Sequence, residues 1–291
     1  MIVIATSPLT NPWTILASWS VDPSVVAGLG LGSWWYLRAI RRLAGRQRTR
    51  WPRWRSVSFL AGLAVIGLAL LSPFDRYSDL LLSVHMVQHL LLTMIAPPLL
   101  LLGAPVTLAL RTARPPNRKR LATLLRGRAV RVLGNPLLGW ILFAGALWAT
   151  HLPAFYDATL RHLGLHIAEH LVYVTTALMF WRPMVGNDPG PRLSHAARIL
   201  AMFLFMPQMT FLGLAIYGSD RPLYAPYIGP AAAFGTSAVA DQHLAGAIMW
   251  SSGMFFLIPA MVAVLADWMR KDDREAARAD AQLARVSPDG A

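Results

Sequence analysis

The chain has 291 residues, 55% of them hydrophobic and 14% charged, with a formal net charge of +13 and no cysteine. Soluble domains run nearer about 45–50% apolar and about 25% charged, and here the apolar residues fall in long blocks, the pattern of an integral membrane protein. Without cysteine, disulfides, thiolate metal sites and iron–sulfur clusters are excluded; the arginines sit between apolar blocks, where they orient spans and meet anionic membrane lipids rather than nucleic acid.

In chain order, the apolar blocks predict an all-α, polytopic membrane bundle of seven transmembrane helices, at residues 23–40, 57–71, 80–97, 136–151, 164–181, 196–217 and 243–268. The second and fourth are short and are expected to extend into their flanks. Residues 1–22 are then an outer N-terminal segment, 23–268 the transmembrane domain, and 269–291 a charged cytoplasmic tail, helical until it frays over 287–291. No basic region precedes an apolar core at the N-terminus, so no cleavable signal peptide is expected. Pro97-Pro98 is expected to end or kink the third helix near the cytoplasmic boundary. The apolar run 99–110 would then lie along the inner interface or pack under the bundle.

The basic residues predict the orientation. Of 27 Lys and Arg residues, all but Arg76, Arg161 and Arg221 fall in the first, third and fifth loops or the tail. By the positive-inside rule, the N-terminus is outside and the C-terminus cytoplasmic.

With that orientation, seven of the eight histidines fall towards the outer face, and only His195 is cytoplasmic. In the third block, DLLLSVHMVQHLLLTMIAPP, His85 and His89 are four residues apart, which stacks both rings on one helix face. They lie roughly 8 and 14 Å below the start of the span at 1.5 Å per residue. His166 and His170 repeat the spacing near the outer end of the fifth span, His151 closes the fourth, and His243 opens the seventh. Histidine pairs on separate helices at similar depth can face each other and hold zinc or copper. Glu169, beside His170, can serve as a ligand, as an acceptor for an imidazole N–H, or as a proton acceptor.

Plainer readings stand beside these. A histidine in a span can be an interhelical hydrogen-bond partner, and His162 and His195 read as ordinary loop residues. Asp79, Asp157 and Asp241 mark the outer rim, where they could collect cations, although Asp241 could simply cap the seventh helix. Met86, Met94, Met206, Met209, Met249 and Met254 are thioethers able to hold cuprous ions, yet at these spacings they read first as helix packing. Tyr and Trp near the span ends read as interface anchors.

The segment HMVQHLLLTMIAPPLLLLGAP (85–105) resembles the signature of the CtaG family, seven-span assembly factors for caa-type cytochrome c oxidase. The likeness continues in residues 151–183, in PLYAPYIGP (222–230) and in ADQHLAGAIMW (240–250), in the same order, and covers roughly residues 34–268. It implies a non-enzymatic role in oxidase maturation at the bacterial inner membrane, with cytochrome c oxidase subunits and an external copper chaperone as partners. The positions matching the family's histidine pattern are His85, His89, His151, His166, His170 and His243. Copper is the implied metal, with zinc or haem iron behind it. Three other readings remain: a metal-dependent enzyme with Glu169 as general base, a bis-histidine haem or electron-transfer protein, and a copper transporter. The last is disfavoured by the few polar residues in the cytoplasmic half of the bundle.

Overall fold

The computed structural model describes residues 18–45, 50–190 and 192–286, and every regular element among them is helical. Expectations for residues 1–17, for Arg46 and Arg48, and for fraying over 287–291 lie outside the described residues. Helices α1 (Pro23–Ala44), α2 (Arg53–Leu71) and the short α3 (Pro73–Ser78) lead into α4 (Leu82–Leu90). A single π turn, Leu91–Ile95, joins α4 to α5 (Ala96–Leu102), followed by α6 (Pro105–Thr112), α7 (Pro115–Arg126) and α8 (Arg128–Leu133). Next come α9 (Pro136–Thr150), α10 (Pro153–Arg161), α11 (Leu163–Val185), α12 (His195–Tyr217), α13 (Ile228–Ala233) and α14 (Ala238–Val286).

Prolines open α1, α3, α6, α7, α9 and α10, where a missing N–H costs nothing and the fixed φ suits the first turn. Side chains complete several of these starts. Asp22 accepts from the Ser24 and Val25 amides, Asn135 from Leu137 and Leu138, and Ser194 from Ala197.

Five helical stretches are long and apolar enough to cross a membrane: Arg53–Leu71, Leu82–Thr112, Leu163–Val185, His195–Tyr217 and Ala238–Gln282. A sixth arises if α9 and α10, bent by 78° at Thr150–Pro153, count as one broken span. This is a multi-pass membrane chain. Helix α1 has 22 residues but carries Arg38, Arg41 and Arg42 in its last turns, and is not among the five. Of the two short spans, the second extends back to Arg53, whereas the fourth stays at 15 residues and turns aside. The charged tail continues α14 without a break to Val286.

The stretch Leu82–Thr112 is the centre of the bundle, with 44% of its apolar window buried against 17–33% for the other four. It packs on α2, α11 and α14. Pro97-Pro98, expected to end or kink the helix, do not end it, and the chain stays helical through both prolines. The π turn just before them shifts the ladder, so that the Ala96 amide bonds to the Leu91 carbonyl five residues back. Pro97 cannot donate to the Thr93 carbonyl, and the indole Nε1–H of Trp181 on α11 takes that place at 2.9 Å. Residues 99–102 continue the helix, Gly103 and the left-handed Ala104 break it, and α6 resumes at Pro105; the run packs on α2 and α1, with Leu101 and Leu108 buried. Asp188 caps the restart at α6 from a distance in sequence, accepting from Val106 and Thr107 at 3.1 and 2.6 Å.

Helices α12 and α14 form the closest pair, crossing at Gly213 and Gly246. A Cβ on Gly213 would lie 2.6 Å from the Trp250 amide nitrogen, and one on Gly246 equally close to that of Tyr217. Only a hydrogen at each position lets the two backbones meet.

Candidate metal centre

The histidine end of the bundle is built from the N-terminal turns of α4 and α11, the C-terminal end of α9, and α10 laid across them. On α4, His85 and His89 are buried with ring centroids 4.1 Å apart, as the four-residue spacing requires. On α11, His166 and His170 repeat the arrangement at 4.4 Å and are half-buried. The two pairs face each other in register: His85 lies 5.9 Å from His166, and His89 lies 5.7 Å from His170. His151 completes the group from the end of α9, 6.4 Å from His89. A ring nitrogen of His85, one of His89 and a carboxylate oxygen of Glu169 lie within 4.8 Å of one another. Glu169 is buried, and its Oε2 stands 4.0 Å from His166 Nδ1.

Eight nitrogen and oxygen atoms of this group make no hydrogen bond. His85 Nε2, both nitrogens of His89, His151 Nε2, His166 Nδ1, His170 Nε2 and both oxygens of Glu169 are buried without a hydrogen bond. Buried polar atoms are normally satisfied, and leaving one bare costs about 1–3 kcal/mol. Eight in one place is a donor set of the kind a cation would engage, and imidazole nitrogens with one carboxylate suit copper or zinc.

Behind the donors, hydroxyls and carbonyls set the tautomers. The single hydroxyl hydrogen of Tyr227 goes to the Ser78 carbonyl at 2.8 Å. Its oxygen must therefore accept from Tyr156 at 3.0 Å and from His85 Nδ1–H at 3.3 Å. That leaves His85 Nε2 as the free lone pair. His151 Nδ1–H donates to the Leu147 carbonyl at 2.7 Å, which frees its Nε2 in the same way. Thr150 and Tyr173 share a hydrogen bond beside it, and Tyr224 donates to the His151 carbonyl at 2.9 Å. Tyr224 and Tyr227 lie in the loop after α12, and burial raises both phenols above their ordinary range, so both stay protonated donors.

Not every expected residue joins. His243 stands apart, its ring 5.1 Å from Tyr217 and its Nε2 3.3 Å from the Ser219 carbonyl. His195, never expected in the cluster and read as a loop residue, opens α12 instead, 3.2 Å from Asp267 and stacked on Trp268. Asp241 is not a rim carboxylate and does not cap its own helix. It is buried and caps α4, accepting from the Leu82 amide at 2.6 Å and from the Ser83 amide and hydroxyl at 3.4 and 2.5 Å. Asp79 is exposed at the end of α3, and Asp157 pairs with Arg161 at 3.8 Å. Tyr156, Tyr173, Tyr224 and Tyr227 are buried around the histidines rather than anchored at an interface. For Tyr224 and Tyr227 the available signal was their three-residue spacing in PLYAPYIGP; Tyr156 and Tyr173 carried none.

The profile of the family described as cytochrome c oxidase caa3 assembly factor (Caa3_CtaG) matches residues 34–271. Uncharacterized proteins of Mycobacterium bovis and Mycobacterium tuberculosis are each 32% identical over 280 residues, covering 91% of this chain and 42% of theirs. One of Mycobacterium leprae is 32% identical over 266 residues, covering 88% of this chain and 40% of its own. The chain thus spans about two fifths of the length of these curated relatives. No solved structure matches the chain.

Proposed function

The chain belongs to the cytochrome c oxidase caa3 assembly factor family, and from that premise we propose that it binds copper as cargo and delivers it to the oxidase. The observation that carries this reading is the set of eight unpartnered buried donor atoms contributed by His85, His89, His151, His166, His170 and Glu169. Copper heads the divalent series for imidazole ligands. Two donors each about 2.0–2.1 Å from one ion are at most ~4.2 Å apart, so the His85–His89–Glu169 set, spread up to 4.8 Å, closes slightly on loading. An open set of this kind suits exchange better than a closed cage. His166 and His170, half-buried, form the entry, and the buried His85 and His89 lie behind them.

In this reading α1 and the bent pair α9–α10 join the five clear spans to make seven, with the N-terminus outside and the C-terminus cytoplasmic. The arginine-rich loops then face the cytoplasm and the histidine end faces out, in a bacterial inner membrane. The protein receives copper from an external chaperone and passes it to an oxidase subunit in the plane of the membrane. His243 lies off this route. Two histidines and a glutamate are also the ligand type of zinc enzymes that activate a water, which makes a zinc hydrolase the second reading.

Metal content by mass spectrometry separates them, using gently purified wild type, His85→Ala/His89→Ala and His195→Ala. Near-stoichiometric copper lost only in the double variant is the expected result. Zinc or haem iron in its place would move the assignment to the hydrolase or an electron carrier. Equal loss in all variants, with falling protein levels, would reduce the histidines to structural hydrogen-bond partners.

A further inference from the structure

Beside the histidine cluster, a cavity of about 20 Å³ lies between α4, the π turn, α9, α11, α12 and α14. That is enough for one water or one ion. Its wall includes Met86, Met94, Met209 and Met249 together with the rings of His89 and His151. All four methionines are at most 3% exposed. Of the six methionines singled out as possible thioether ligands, Met206 and Met254 do not line it, and Met254 is 53% exposed.

The convergence follows from the fold. The backbone contact of Gly213 with Gly246 brings α12 and α14 together, and Met209 and Met249 sit one turn from that crossing. Met86 lies three residues before His89 on the same buried helix, and Met94 is carried inwards by the π turn. His89, buried with both ring nitrogens unpartnered, lies between the cavity and the cluster above, and His151 Nε2 is likewise bare.

We infer that this cavity is a second, deeper metal site, selective for a soft monovalent cation, the cuprous ion, held by thioethers with His89 or His151. Thioether sulfur favours cuprous copper over zinc and cupric ions. The charge points the same way, because no carboxylate lines the cavity. Burying a divalent ion among neutral ligands costs roughly four times as much Born energy as a monovalent one of equal size. Glu169 stands in the upper set instead, so the two levels differ in the charge they can neutralise. His89 and His151 belong to both levels, and His89, which also stands in the set with His85 and Glu169, is the step between the upper donors and the lower ones.

The inference rests on the copper-handling reading for the identity of the ion, and its test keeps the two apart. Full-length protein in detergent is loaded anaerobically with cuprous ion, and its stoichiometry and X-ray absorption fine structure are measured. Wild type is compared with Met86→Leu/Met209→Leu/Met249→Leu, a volume-conserving change, and with His85→Ala/His166→Ala, neither residue of which lines the cavity. The expected result is a sulfur shell in wild type, its loss with one copper equivalent in the leucine variant, and its persistence in the alanine variant. No sulfur shell in wild type, or full cuprous binding by the leucine variant, overturns the inference. So does loss of the sulfur shell in the alanine variant, since the lower site would then not stand by itself. An alanine variant that keeps all its copper, sulfur shell included, supports the lower site and removes the upper one.

Discussion

Replacing Asp241 by alanine tests whether the metal centre depends on a helix cap supplied from the other end of the chain. Helix α4 starts at Leu82 with no capping side chain of its own, and its first amides are buried. Asp241 accepts from Leu82 N at 2.6 Å, from Ser83 N at 3.4 Å and from Ser83 Oγ at 2.5 Å. Loss of a capping side chain costs about 0.5–2 kcal/mol, and each buried donor left bare adds about 1–3 kcal/mol. Some of that is recovered by fraying, so a total of about 2–4 kcal/mol is expected. At ~2–4 °C per kcal/mol for a chain of this size, the midpoint should fall by roughly 5–15 °C. His85 sits one turn from the cap, so bound copper should fall with the midpoint. Asp241→Asn keeps one acceptor and should lose less than half as much. Thermal unfolding in detergent, with copper measured on the same samples, reads both effects. An alanine variant as stable and as well loaded as wild type would refute the argument that Asp241 holds the start of α4.

Three further outcomes can be checked. Tyr227→Phe removes the acceptor for His85 Nδ1–H, and copper affinity should drop ~10–100-fold by competition titration while the protein still inserts. Trp181→Phe strips the Thr93 carbonyl of its indole donor beside Pro97, and should cost about 1–3 kcal/mol in thermal unfolding with the metal content retained. Gly246→Ala drives a Cβ to within 2.6 Å of the Tyr217 amide nitrogen, so α12 must part from α14 at a cost of about 1–3 kcal/mol. Unchanged unfolding of that variant would show that the crossing can open freely.

Much of this arrangement could be read from local pattern. The apolar blocks and the four-residue histidine spacing depend only on residues within a turn or two of each other. They located the long apolar helices, the two histidine pairs and Glu169 beside them, because rise and rotation per residue are the same in every helix. The same reasoning could not rank Met209 above Met206, or His151 above His243. Those choices depend on how each helix is rotated about its own axis, and that rotation is set by neighbours far away in sequence.

What the sequence by itself determined, then, is where the long apolar helices lie and which side chains share a face on each of them. The tertiary structure decided which faces meet. The Gly213–Gly246 crossing turns Met209 and Met249 inwards, the 78° bend after α9 lays Tyr156 over His85, and Trp181 lets the central helix pass two prolines. Asp241 caps α4 rather than its own helix for the same reason. A buried amide must find an acceptor, and nothing local says which part of the chain will supply it.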